Sequence, residues 1–81
     1  MQDDEFEWDD VKAARNWRDH AVTFDMARDA FDDAFAIDWI DDRQEATEPR
    51  TNMLAAVADR ILHITFTLRG ERIRIISARK A

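Results

Sequence analysis

The chain has 81 residues, 46% of them hydrophobic, with one Gly, one Pro and no Cys. That length suits a single domain, 1–81, since a chain of roughly 60 residues buries only about 60% of its unfolded surface. The composition argues against a disordered chain, and the missing cysteines exclude a disulfide framework or a thiolate metal site.

The net charge of −6 hides a split: residues 1–50 carry 16 acids and 6 bases, whereas residues 51–81 carry 2 acids and 6 bases. A polyanion should therefore approach the C-terminal third, and a basic partner the remainder. The opening MQDDEFEWDD has no basic start and no apolar run. No stretch approaches the roughly 20 apolar residues that span a bilayer, so a cytoplasmic chain without membrane contact is expected.

In chain order, Glu5 to Trp8 reads as a brief edge strand. Asp9 or Asp10 can cap a helix in which Val11, Ala14, Trp17 and Ala21 fall three or four apart, the predicted core-facing stripe. Thr23 can cap a second helix carrying Met26, Ala27, Ala30, Phe31 and Ala34, with Asp29, Asp32 and Asp33 on its solvated side. Phe35 to Ile40 suits a strand, and Asp41 to Pro49 a polar loop. Arg50 to Val57 fits a helix by propensity but is short and uncapped; a strand is assigned there on the resemblance described below.

Ile61 to Leu68 alternates, with Leu62, Ile64, Phe66 and Leu68 on one face and His63, Thr65 and Thr67 on the other. Arg69-Gly70 makes a plausible two-residue turn. That turn would set Phe66 opposite Ile73, Ile64 opposite Ile75, Thr67 opposite Arg72, Thr65 opposite Arg74 and His63 opposite Ile76. One side of the hairpin is then core, and the other carries two arginines, two hydroxyls and an imidazole.

Such a face can hold phosphate, because the guanidinium fork donates two parallel hydrogen bonds and keeps its charge at any relevant pH. Arg79 and Lys80 extend the basic group beyond Arg72 and Arg74. The plainer alternative is that these arginines solvate the sheet or pair with the acidic half. His20 and His63 are the side chains that titrate near neutrality. His20 could equally be a cation at a helix C-terminus, and His63 a filler of the sheet surface. The spacings that seat metals, such as H-x-x-x-H, are absent, so no metal and no cofactor are expected. Trp17 reads as core, and Trp8 as a ring that could stack on a base.

FEWD at 6–9, Lys12, Asn16, His20, VTF at 22–24 with Ala27, Arg50 after an acidic loop, and RGERIRIISARKA at 69–81 together resemble the BrnT toxin family over nearly the whole chain. The resemblance implies an α+β, RelE-like fold with two N-terminal helices packed on a mainly antiparallel sheet. It implies a ribonuclease that cleaves RNA without metal and inhibits growth. Its partner would be a BrnA-like antitoxin with a ribbon-helix-helix domain, joined to it in a hetero-oligomer that reaches operator DNA only through the antitoxin. Carried onto this sequence, His20, Arg50, Arg74, Arg79 and Lys80 are the candidate catalytic residues, and Trp8, Lys12 and Arg72 the candidate RNA-binding ones. Arg74 and Arg79 would bind the scissile phosphate, and His20 or Lys80 would handle protons. The alternative is a catalytically weakened copy acting as antitoxin-binding co-repressor; it rests on Asp19-His20-Ala21, where the family reads Lys-His-Gly. A third reading is an interaction module with no RNA contact.

Overall fold

A computed structural model describes residues 1–41 and 49–81, so the predicted loop, apart from its two end residues, lies outside the described residues. The elements run β1 (Phe6–Glu7), α1 (Asp10–His20), α2 (Phe24–Asp29), a 3-10 turn (Ala30–Asp32), β2 (Ile37–Asp41), β3 (Arg50–Val57), β4 (Arg60–Arg69) and β5 (Arg72–Lys80). The five strands form one sheet in the order β1-β5-β4-β3-β2.

The α+β class is as expected, but the arrangement corrects the expectation in two respects. The sheet is mixed, because β1 joins β5 in parallel while the other neighbours are antiparallel. The two helices do not begin the fold but follow the short strand read at Glu5 to Trp8, which forms at Phe6–Glu7 where Asp3 turns the chain by accepting hydrogen bonds from the Glu5 and Phe6 amides.

Each helix starts where its cap predicts. The Asp9 carboxylate accepts from Val11 N and Lys12 N, and the Thr23 hydroxyl accepts from Met26 N. The second helix is shorter than the apolar repeat suggested: it tightens at Ala30 and ends before Ala34. Asp33 is not merely solvated there, for its carboxylate accepts from the Phe35 and Ala56 amides and so ties the helix exit to β3. These two bonds hold its pKa below the ordinary aspartate value.

Both helices pack against β5, covering one face of the sheet. There Met53, Ala55, Leu62, Ile64, Phe66, Ile75 and Ala78 meet Phe6, Trp8, Val22, Phe24, Ala27 and Ala30. Phe31 lies edge-on to both Phe6 and Phe66, at 5.3 and 5.0 Å between ring centroids. Burying a side chain such as Leu62 or Ile64 stabilises the fold by about 2 kcal/mol.

Helix α1 corrects the prediction of its face. Val11, Ala14 and Trp17 are exposed, and the one buried residue of the helix is Asn16. Its amide donates to Val22 O (2.8 Å) and Ala78 O (2.7 Å) and accepts from Ala78 N (3.1 Å). One fully bonded amide, rather than an apolar stripe, fastens α1 to β5.

Candidate active site

The second face of the sheet, opposite the helices, is built by the alternation of β4. His63, Thr65 and Thr67 point away from buried Leu62, Ile64 and Phe66. The hairpin to β5 turns at Gly70-Glu71, since Arg69 pairs with Arg72; Gly70 supplies the required positive φ of 59°. The predicted turn one residue earlier is therefore corrected, and with it every cross-strand pair. Thr67 faces Arg74, and Phe66 faces Ile75.

A register shift between Thr65 and Phe66 then changes the far half of the hairpin. Beyond it Thr65 faces Ser77 and His63 faces Arg79, leaving Ile76 as the extra residue. The consequence is chemical. Arg74 and Arg79 are five apart, so an unbulged strand would send them to opposite faces; the bulge returns both to the face of His63 and Thr67.

Among the described residues, four side chains gather around His63. Asn52, opposite Thr65 on β3 and buried, has its Oδ1 3.2 Å from His63 Nε2 and accepts from the Thr65 hydroxyl at 2.8 Å. Arg79 Nη2 lies 3.5 Å from His63 Nδ1, the outer limit of a hydrogen bond. The Trp39 ring, brought over by its pairing with Asn52, stacks on the imidazole at 5.9 Å and 26° and is 42% exposed. An amide oxygen only accepts, so in this contact His63 Nε2 is the donor.

The residues singled out from the sequence are distributed more widely than expected. Arg79 is exposed on the second face. Arg74 shares that face but donates to Glu7 Oε2 at 2.7 Å, an ion pair whose carboxylate is well shielded from water. Arg74 and Arg79 face β4 residues four apart, about 13 Å along the strand, so a joint grip on one phosphate would need both side chains to reach towards each other. Arg50 starts β3 opposite Asp41, two residues before Asn52 and so on the same face. Arg72 Nε donates to Asp3 O at 2.7 Å and braces the chain start. Lys80 pairs with Leu62, which puts it on the helix side of the sheet, away from Arg79. Trp8 is 7% exposed and edge-on to Phe24 at 5.8 Å; it packs the core and offers no free face to a base.

Lys12 and His20 line a separate cleft between α1 and β5, with Arg15, Asp19, Ile76 and Ser77. Asp19 accepts from Arg18 Nε at 3.0 Å, and this bond lowers its pKa, so the cleft keeps a negative charge among its bases. Ser77 belongs to both regions, since it also faces Thr65. Trp39, Asn52 and His63 are the residues that sequence reading missed as a group. The signal available was only the alternation placing His63 beside Thr65; Asn52 and Trp39 arrive through strand pairings with no local signature.

No helix of the described residues is long and apolar enough to cross a membrane. No curated relative matches the chain. A family model, described as ribonuclease toxin, BrnT, of type II toxin-antitoxin system, matches residues 8–81, which takes in every element from α1 onward. With a helix-free sheet face that gathers arginine, imidazole and hydroxyls, the chain belongs to the BrnT family of type II toxin-antitoxin ribonuclease toxins.

Proposed function

We propose that this chain is an active endoribonuclease that cleaves RNA without a metal ion, on the second face of a RelE-like sheet, in the cytoplasm. A BrnA-like ribbon-helix-helix antitoxin neutralises it in a hetero-oligomer and carries it to operator DNA. The observation that carries the reading is the bulge-dependent placement of exposed Arg79 beside His63, with Arg74 further along the same face.

Arg79 can hold the scissile phosphate, where fixed positive charge stabilises the additional negative charge of the transition state. Arg74, half-neutralised by Glu7, and Arg50 position neighbouring phosphates of the strand. Lys12 and His20 extend the track through the α1 cleft, which meets the sheet face at Ser77.

Expression of the chain without antitoxin should arrest growth, and Arg79→Ala should abolish arrest while leaving the protein folded. In vitro, cleavage should persist in excess EDTA. The co-repressor reading is favoured by the Asp19 and Glu7 carboxylates, which offset part of the cationic track. No arrest, together with tight antitoxin binding, would establish it instead.

A further inference from the structure

We infer that the open edge of β2, with the apolar groove beside it, is the docking surface of the antitoxin: an extended segment of that protein adds to the sheet as a sixth strand, apolar towards the second face and basic in between. The inference rests on the toxin-antitoxin reading and assigns its neutralising contact to residues that none of the sequence-derived candidates includes. Three features of the molecule support it.

The first is the edge itself. Strand β2 pairs with β3 on one side, and among the described residues nothing pairs with residues 37–40 on the other. Such an edge offers its backbone amides and carbonyls to another extended chain. The second is the groove. Phe35, Ile37, Leu54, Ala56 and Ile61 line a depression of about 430 Å³ beside that edge, with Phe35 90% and Ile37 66% exposed. Large apolar side chains gathered in a concavity mark a surface that a partner covers. The third is charge. Residues 32–41 hold four aspartates and no lysine or arginine, and Asp33 is part of the groove wall. A second copy of this chain, at a net charge of −6, would set the same acids against them, so the occupant is a basic segment of another protein.

Position explains how such a strand silences the chain. Ile37, Leu54, His63 and Arg79 form one row across four strands, and Trp39, Asn52, Thr65 and Ser77 form the next. A strand laid along β2 extends both rows. One apolar side chain, beside Ile37, enters the groove against Phe35, and the next on that face, two residues on, covers the exposed Trp39 ring. The ring is then closed to a base, and the path of RNA past Arg79 is narrowed from the β2 side. The side chains between point to the helix side, where Asp38 stands on β2 and a lysine or arginine can meet it.

The test uses the purified full chain, its antitoxin and a single-stranded oligoribonucleotide. By hydrogen exchange, the outward amides of residues 37–40 should exchange rapidly in the chain alone and be protected in the complex. Ile37→Lys, a change at an exposed side chain, should weaken antitoxin binding by about 30-fold or more, the scale of an interface anchor. Asp38→Lys should weaken it by about fivefold at low salt and less at high salt. Val11→Lys, at an equally exposed position on α1, should bind within about twofold of wild type, as a surface change away from the contact does. The free Ile37→Lys chain should cleave the oligoribonucleotide as wild type does and need correspondingly more antitoxin for inhibition. Amides of β2 that stay unprotected in a complex that forms, or an Ile37→Lys chain that binds as tightly as wild type, would each overturn the inference. So would a wild-type chain that is a dimer alone and is split by Ile37→Lys, which assigns the edge to a second copy. A chain that shows the β2 protection but cleaves no RNA would support the inference and overturn the ribonuclease reading alone.

Discussion

His20 ends α1 as a solvent-exposed residue beside Asp19, whereas His63 lies mid-strand, half-buried, between Asn52, Arg79 and the Trp39 ring. The two imidazoles have the same intrinsic chemistry and different surroundings. At the helix end the His20 ring lines the cleft, and among the described residues no side-chain hydrogen bond holds it. On the strand the Asn52 amide oxygen and the Arg79 guanidinium stand one at each ring nitrogen and hold the side chain in place. Proton transfer depends on such preorganisation more than on the presence of a histidine, which is why the proposed function uses the sheet face and not the cleft alone.

The most forceful way to break this comparison is to loosen α1. Asn16→Ala would leave the Ala78 amide and the Val22 and Ala78 carbonyls without the partner that now satisfies them. Burial of such groups unpaired should cost about 2–3 kcal/mol. In a domain of this size that lowers Tm by roughly 10–20 °C, measurable by thermal unfolding. Below the new Tm, cleavage should survive, because the His63 cluster is built from β2 to β5 alone; loss of cleavage in a folded Asn16→Ala protein would return the α1 cleft to the active site.

A smaller effect is expected at Trp39. Trp39→Ala removes one stacking surface, worth about 1–2 kcal/mol, so KM for the oligoribonucleotide should rise by about tenfold with kcat less affected. An unchanged KM would mean that the base lies elsewhere. Within the cleft, Asp19→Lys should tighten RNA binding by only about threefold at low salt, with the gain vanishing at high salt, as exposed charges do.

The smallest change concerns acid. The Asp33 carboxylate, bonded to the Phe35 and Ala56 amides, has a folded pKa below its ordinary value of 3.8. Its stabilising contribution is therefore fully present above 3.8 and is lost as pH falls through the lower folded value. Asp9 behaves in the same sense through its bonds to Val11 N and Lys12 N. Asp33→Asn should accordingly flatten part of the decline in Tm below about pH 4, a shift that a pH series of thermal melts detects.

How much was readable in advance differs sharply between these regions. The alternation of Ile61 to Leu68 announced β4 and the two faces of its hairpin, and the oxygens of Asp9 and Thr23 announced both helix starts. The exposed side of α1 was misread, because Val11, Ala14 and Trp17 have helical spacing while the true contact is an amide bonded to a residue 62 positions away. Trp8 read as a ring that could stack on a base, and the fold buries it against Phe24.

By itself the sequence determined the local periodicities, the caps, the family and the segregation of basic residues into the last third, since each of these depends on neighbours within a few positions or on composition. Tertiary structure alone decided the turn at Gly70-Glu71, the bulge at Ile76 and the meeting of Trp39, Asn52, His63 and Arg79. The physical reason is that strand register is set by packing and hydrogen bonding between segments remote in the chain, and a shift of one residue decides which face an arginine occupies.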